Sequence, residues 1–412
     1  MRYIVNDDVV LSRPLEGPLS AHIAGFAKWA RDQGYALPSR HRQVLLTACF
    51  SRWLGQEAVG VHRITPEHPA RYLQFRSRYV QIHKGDEAAL RQFMDYLSRN
   101  GVVPTVNIPP RQLTPVEQSV HAFEHYLRNE RSLAEKTILC YVPFVHRFLT
   151  DRFGDEPVTF SRLTAGDVVR FVQRQALRLH VKRAKLLTTA LRSFLRYARY
   201  RGDIVPDLAY AVPTVANWSM TAIPRAIPAD AVRQLLASIN QRTPMGRRDY
   251  AILLLLARLG LRASEVVQLE LEDINWNEGY LNVLGKGGQR SALPLPTDVG
   301  AAIAAYLQHG RPRSGSRRVF LRVKAPIRGF LDQQAVGSLV RNTLAHAGVM
   351  APTKGAHQFR HALATEMLIH GASLTEIGEV LRHHSPQTTM IYTKVDIEAL
   401  RGLALPWPGG AR

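Results

Sequence analysis

A mainly α chain with one small antiparallel sheet in its C-terminal part, an α+β arrangement, is the fold class this sequence predicts. Three observations predict it. Apolar residues recur at helical spacing along most of the length. Two proline-bearing stretches, residues 103–115 and 206–228, interrupt that pattern; proline pushes its predecessor into extended geometry, so both read as linkers. One pair of alternating segments, residues 280–284 and 291–295, flanks Gly285-Lys286-Gly287-Gly288-Gln289, a hairpin whose glycines permit positive φ. At 412 residues the chain exceeds what one hydrophobic core organises. The expected boundaries are residues 1–105, an N-terminal helical domain; 112–206, a second helical domain; 207–228, a linker; and 229–405, the domain with the sheet.

The first two domains read as copies of one helical module. In the first, Phe50-Ser51-Arg52-Trp53-Leu54 on one helix precedes Ile64-Thr65-Pro66 and Arg71-Tyr72-Leu73-Gln74, then a helix over residues 89–96 that ends at Gly101-Val102-Val103-Pro104. In the second, Val145-His146-Arg147-Phe148-Leu149 precedes Leu163-Thr164-Ala165 and Arg170-Phe171-Val172-Gln173, then a helix over 190–197 that ends at Gly202-Asp203-Ile204-Val205-Pro206. The offset from Phe50 to Val145 is 95 residues and from Pro104 to Pro206 it is 102, so small insertions separate the copies.

The copies differ in charge. On the last helix of the second, Lys182, Lys185, Arg192, Arg196 and Arg199 form a stripe opposite Leu187, Leu191, Phe194 and Ala198, a phosphate-facing edge over a core-facing one. The first copy keeps charge at Lys84 and Arg91 but has Asp95 where the second has Arg196 and Ser98 where it has Arg199. A charged stripe is ordinarily only a solvated face; the whole-chain charge turns this reading toward DNA.

Lys and Arg number 54 against 33 Asp and Glu, giving a net charge of +21 and a pI near 10.4. A field of that sign selects a polyanionic partner. A membrane is a poorer match, because the longest apolar run, residues 251–257, is far short of the roughly 20 needed to span a bilayer and reads as a core helix. No basic segment followed by an apolar run and a small-residue cleavage site opens the chain, so a cytoplasmic, nucleoid-associated location is expected. Cys49 and Cys140 are too few for a disulfide framework or a cysteine zinc site; in apolar helical contexts both are expected to be buried free thiols.

Five short signals follow in order within the last domain: Gly260-Leu261-Arg262-Ala263-Ser264-Glu265, the Lys286 hairpin, His357-Gln358-Phe359-Arg360, Leu381-Arg382-His383, and Thr388-Thr389-Met390-Ile391-Tyr392. Each alone has a bland reading: an arginine paired with a nearby glutamate, a solvated turn lysine, a satisfied histidine, a packed aromatic. Together, in this order in a basic chain, they resemble the tyrosine recombinases of the phage integrase type, over roughly residues 112–403. What the resemblance implies is a helical core-binding domain, SAM-like, followed by a recombinase catalytic domain. It further implies a site-specific recombinase that cuts and rejoins double-stranded DNA through a 3′-phosphotyrosyl intermediate, four protomers acting on two duplexes in integration, excision or transposition. Two features depart from the family pattern. Arg382 stands where glycine commonly precedes the second histidine, and His383-His384 is a pair; the spacing to Tyr392 selects His383.

The residue types suit the chemistry. A tyrosine hydroxyl, with a pKa near 10, attacks poorly at neutral pH unless cations and a base assist it. Arg262 and Arg360 offer planar, permanently protonated donors for the charge that builds on non-bridging phosphate oxygens. His357, three residues before Arg360 and so on the same helix face, is the candidate acid/base for the Tyr392 proton; His383 is a candidate donor to phosphate. Lys286 at the hairpin tip is the candidate acid for the departing 5′ oxygen, and Glu265 is expected to hold Arg262 in place. His357 and His361 are spaced like two ligands of a zinc protease, but Gln358 replaces the required glutamate. No phosphate-cradling Gly-x-x-x-x-Gly-Lys-Ser/Thr loop is present either, so no cofactor is expected. The same chemistry within one duplex, as in a type IB topoisomerase, or a silent DNA-binding regulator on the same fold, are the other functions these residues admit. The apolar pattern of residues 396–405 favours an assembly in which this segment docks on a neighbouring protomer.

Overall fold

The computed structural model describes residues 3–6, 8–103, 112–216, 226–285, 287–383 and 385–395. Lys286, His384 and residues 396–405 lie outside them. The chain forms two compact units, one made of Met1–Val106 with Ala222–Arg412, the other of Asn107–Thr221.

The first unit begins with a hairpin, β1 (Tyr3–Asn6) and β2 (Val9–Leu11), antiparallel with Tyr3 opposite Leu11. Strands this short give too little alternation to be read from sequence; burial of Val5, Val9 and Leu11 fixes them on the helices that follow. These are α1 (Ser20–Asp32), α2 (Leu37–Gln56), α3 (His68–Arg76) and α4 (Asp86–Arg99), with a 3-10 turn at Val61–Arg63 between α2 and α3. Their apolar stripes meet in an aromatic core where Phe26 lies 4.9 Å from Phe93 and Phe50 lies 5.3 Å from Tyr72, ring centre to ring centre.

The second unit repeats the order of those four helices with a 3-10 turn between the second and third: α5 (Pro115–Asn129), α6 (Glu135–Phe153), the turn Phe160–Arg162, α7 (Ala165–Ala176) and α8 (Val181–Tyr200). Thr114 with Glu117, and Thr164 with Asp167, cap α5 and α7 by reciprocal side-chain to backbone bonds, satisfying amides that the first helical turn leaves free. Phe123, Phe148, Phe171 and Phe194 fill the core. Cys140 departs from the expectation of a buried thiol: it is exposed on α6, because that helix turns Ile138, Phe144, Phe148 and Leu149 inward, and Cys49 is only half-buried.

The remainder of the first unit carries the sheet. Helix α9 (Ala229–Ala237) leads to α10 (Pro244–Arg258), whose residues 251–256 are wholly buried, as the apolar run predicts for a core helix. After α11 (Ala263–Gln268) come β3 (Ile274–Asn275), β4 (Tyr280–Leu284) and β5 (Arg290–Pro294), antiparallel in that order, with Leu281 opposite Leu293 and Leu284 opposite Arg290. Leu281, Val283 and Leu293 point at the core while their neighbours face outward. Gly287 and Gly288, both at φ +82°, turn the hairpin. Helices α12 (Thr297–His309), α13 (Gln334–His346), α14 (His357–Ile369), α15 (Leu374–Val380) and α16 (Pro386–Thr389) complete the unit, and a 3-10 turn, Met390–Val395, follows α16. The amide of Ile327 donates to the Gln33 carbonyl at 3.0 Å, tying the end of α1 to the loop before α13. No helix among the described residues is long and apolar enough to cross a membrane.

Candidate active site

Arg262 sits where the chain leaves the buried segment at Gly260 and enters α11. Its backbone amide donates to Oε2 of Glu265 at 2.9 Å and its Nη1 donates to Oε1 of the same carboxylate at 2.7 Å. Glu265 is buried, so this pair both starts the helix and fixes the guanidinium; 27% of the Arg262 side chain stays exposed.

Arg360, on α14, is only 1% exposed. Its Nη1 donates to the Gly260 carbonyl at 2.7 Å and its Nη2 to the Leu381 carbonyl. One side chain thus ties the segment before α11 to the end of α15. Burial, then the nearby Arg262 and Arg382 cations, lower its pKa, and the facing Glu265 raises it. Gly260, at φ +56°, lets the backbone approach: a Cβ there would lie 2.9 Å from Leu381 Cδ2 and 3.0 Å from Leu363 Cδ2.

Three histidines share this region. His357 and His361 stand one turn apart on α14 with ring centres 4.6 Å apart. Tyr392, 1% exposed and packed among Ala364, Ile377 and Leu381, has its hydroxyl 2.9 Å from Nδ1 of His361. Burial pushes that hydroxyl up to about 12, with the Arg360 cation pulling the other way. Nδ1 of His383 lies 2.7 Å from Thr389 Oγ1. With the threonine hydroxyl donating, Nε2 carries the ring hydrogen and is free to donate outward.

All three histidines are held below their ordinary range. Burial and then neighbouring cationic groups bring His361 and His383 down to about 4. Packed surroundings, then Arg360 and Arg262, lower His357. His357 is exposed, and the two fixed cations act on it across the pocket. At neutral pH the pocket therefore combines fixed guanidinium charge with neutral imidazoles, each with a ring nitrogen open to accept a hydrogen bond.

The structure gathers Arg262, Glu265, His357, Arg360, His383 and Tyr392, from four separate segments, into one region. The partnership of His361 with Tyr392 is not legible in the sequence: the spacing relates His361 only to His357, and the tyrosine lies 31 residues away. Among the described residues, no group of three or more His, Cys, Asp or Glu side chains is arranged to hold a metal ion.

Arg382 is the departure with a conformational explanation. It lies at φ +55°, the left-handed region that glycine favours. Its amide donates to Glu379 O and that of His383 to Gly378 O, both at 2.9 Å, closing the end of α15 in the way a left-handed cap does.

In the second unit, Lys182, Lys185, Arg196 and Arg199 are exposed on α8, opposite buried Leu187, Leu191, Phe194 and Ala198. Arg192 is half-buried and donates to the Val212 carbonyl at 2.8 Å and the Pro213 carbonyl at 3.3 Å, and Arg199 pairs with Asp207. Two members of the stripe therefore also hold the chain that leaves α8.

Residues 225–398 match the model of the phage integrase family, and residues 120–202 match that of the phage integrase N-terminal SAM-like domain. A Sinorhizobium fredii (strain NBRC 101917 / NGR234) protein carrying the name integrase/recombinase y4rA is 55% identical over 413 residues, covering 100% of both chains. Tyrosine recombinase XerD of Listeria innocua is 29% identical over 280 residues, 66% of this chain and 92% of that one. Among solved structures, XerH site-specific recombinase bound to palindromic difH substrate matches with a TM-score of 0.55 at 18% identity, over 77% of this chain and 94% of that one. A λ integrase tetramer bound to a Holliday junction matches at 0.53 and 15% identity, over 76% and 88%. The chain belongs to the phage integrase family, the tyrosine recombinases, and is a site-specific DNA recombinase.

Proposed function

We propose that Tyr392 attacks one phosphodiester of a double-stranded DNA site. The Tyr392 oxygen forms a bond to phosphorus, the bond from phosphorus to the 5′ oxygen breaks, and the DNA is left as a 3′-phosphotyrosyl ester that the 5′-hydroxyl of another strand reopens. The observation that carries this reading is the Tyr392 hydroxyl held at a neutral histidine beside Arg360 and Arg262. The tyrosine proton passes to an α14 histidine, His361 in the arrangement seen and His357 one turn away. Arg262, Arg360 and the outward face of His383 receive the charge that grows on the phosphate oxygens. The departing 5′ oxygen takes its proton from Lys286, a role supported by its place in the sequence between Gly285 and Gly287-Gly288. The ester conserves the energy of the broken bond, so rejoining needs no nucleotide.

Four protomers on two duplexes are the assembly this chemistry uses to exchange strands, in integration, excision or transposition within the cytoplasm. Supporting it, an open groove of about 660 Å³ beside α9 and α14, lined by Val232, Leu236, Leu363 and Ile369 among others, offers apolar surface to residues 396–405 of a neighbouring copy. Residues 112–206 act as the core-binding domain, with Lys182, Lys185, Arg196 and Arg199 along the phosphates and Arg192 bracing the edge. Residues 1–105 form a duplicated module that touches a further DNA segment or a neighbour, and the identical order of helices and 3-10 turn in α1–α4 and α5–α8 supports the duplication.

A nicked suicide duplex tests the chemistry. Covalent DNA–protein adduct lost in Tyr392→Phe is expected. Failure to form adduct on DNA recovered from the protein's own binding sites points to a silent regulator, and adduct with relaxation but no strand exchange points to a topoisomerase.

A further inference from the structure

Glu265 presents one buried carboxylate to two guanidiniums. Oε1 accepts from Arg262 Nη1 at 2.7 Å; Oε2 accepts from the Arg262 amide and from Arg382 Nη2, each at 2.9 Å. The Arg382 side chain is 10% exposed and reaches Glu265 from the end of α15. Its Nη1 also donates to the Val380 carbonyl at 3.2 Å.

Without Arg382, the Glu265 carboxylate would offset the charge of Arg262 and draw also on that of Arg360, which it faces. With Arg382 in the cluster, two cations share one anion, and Arg262 keeps a net positive surround for an incoming phosphate. The backbone cost points the same way. A long side chain stands at φ +55°, where glycine is the unstrained residue. The position is held against its own conformational preference by a buried ion pair directed at the carboxylate that fixes Arg262.

We propose that Arg382 is a positioning residue for cleavage: through Glu265 it orients Arg262 and restores the positive charge that the carboxylate withdraws from the phosphate pocket. This rests on the function proposed above, and the test separates the two. Single-turnover cleavage of the nicked suicide duplex is measured at saturating protein for the full chain and for Arg382→Gly, Arg382→Gln and Arg382→Lys, alongside DNA affinity and urea-unfolding midpoint. Arg382→Gly is expected to unfold at the same or higher urea while cleaving about 10-fold or more slowly, since misplacing a reacting group by about an ångström has that scale of effect. Arg382→Gln should be slowed similarly, Arg382→Lys should recover most of the rate, and DNA affinity should stay within about 2-fold in all three. A lysine variant as slow as the glutamine variant, or a glutamine variant cleaving at the unaltered rate, overturns the inference and leaves the chemistry standing. Absence of Tyr392-dependent adduct from the unaltered chain overturns the proposed chemistry, and this inference with it.

Discussion

The hydroxyl of Tyr392 lies 2.9 Å from Nδ1 of His361, inside a pocket that leaves the tyrosine 1% exposed. Removing the imidazole leaves a buried hydroxyl without its partner, which costs about 1–3 kcal/mol. His361→Ala is therefore expected to lower the urea-unfolding free energy by that amount and to slow covalent adduct formation by roughly 100-fold or more, the scale of a lost proton acceptor. His361→Ala forming adduct at the unaltered rate would return the acceptor role to His357 alone.

The histidines also set a pH dependence. In the folded chain His361 and His383 are held at about 4 and His357 is lowered, whereas unfolded histidine titrates near 6.5. Between those values the unfolded chain binds more protons than the folded one, so stability is full above about pH 6.5 and falls as pH drops toward 4. Urea midpoints from pH 7.5 to 4.5 are expected to decline, and the slope in His361→Gln should be shallower by about one proton. A midpoint that rises over this range contradicts the assignment.

Arg262 and Arg360 carry the same charge but hold different structural positions, so their variants should separate. Arg360 is buried, and both its terminal nitrogens satisfy backbone carbonyls of Gly260 and Leu381. Arg360→Ala uncovers two buried acceptors and is expected to destabilise by about 2–5 kcal/mol. Arg262→Gln keeps a polar group on a side chain that is 27% exposed, while Arg382 remains to pair Glu265. Its cost should stay near 1 kcal/mol, although adduct formation falls roughly 100-fold. Thermal unfolding beside adduct assays distinguishes them; equal destabilisation would refute the division.

Gly260 makes a narrower claim. Alanine there would strain a backbone at φ +56° and press Cβ to 2.9 Å from Leu381 Cδ2. Gly260→Ala should cost about 1–3 kcal/mol and shift the carbonyl that anchors Arg360, so adduct yield falls along with stability. A variant as stable as the unaltered chain would show that the loop relaxes freely.

The helical periodicity and the 280–294 hairpin were legible because each repeats a local rule several times over. The site was legible as a set of residue types in order, since Arg262 with Glu265 and His357 with Arg360 are neighbours on one helical turn. What sequence could not supply is pairing across distance. Tyr392 meets His361 across 31 residues and Arg382 meets Glu265 across 117, and no period links such positions. The β1–β2 hairpin was hidden by its brevity, and the exposure of Cys140 by the inward turn of its neighbours on α6.

The α8 stripe yields a test in which two neighbouring arginines behave oppositely. Lys182, Lys185 and Arg196 are exposed, so their work is expected at the phosphates alone. Each substitution to Ala should weaken binding uniformly across DNA sequences and reduce the slope of log affinity against log salt by about 1, because one fewer counterion is released. Arg192 is different: its Nη2 donates to the carbonyls of Val212 and Pro213, which close the unit beyond α8. Arg192→Ala should therefore lower the unfolding midpoint of residues 112–216 by an amount equivalent to about 1–2 kcal/mol, with a smaller change in salt slope than Arg196→Ala. Fluorescence anisotropy over a salt series, set beside urea unfolding, reads both quantities. If Arg196→Ala destabilises and leaves the salt slope intact, that arginine is structural and the DNA-facing edge must be sought on another helix.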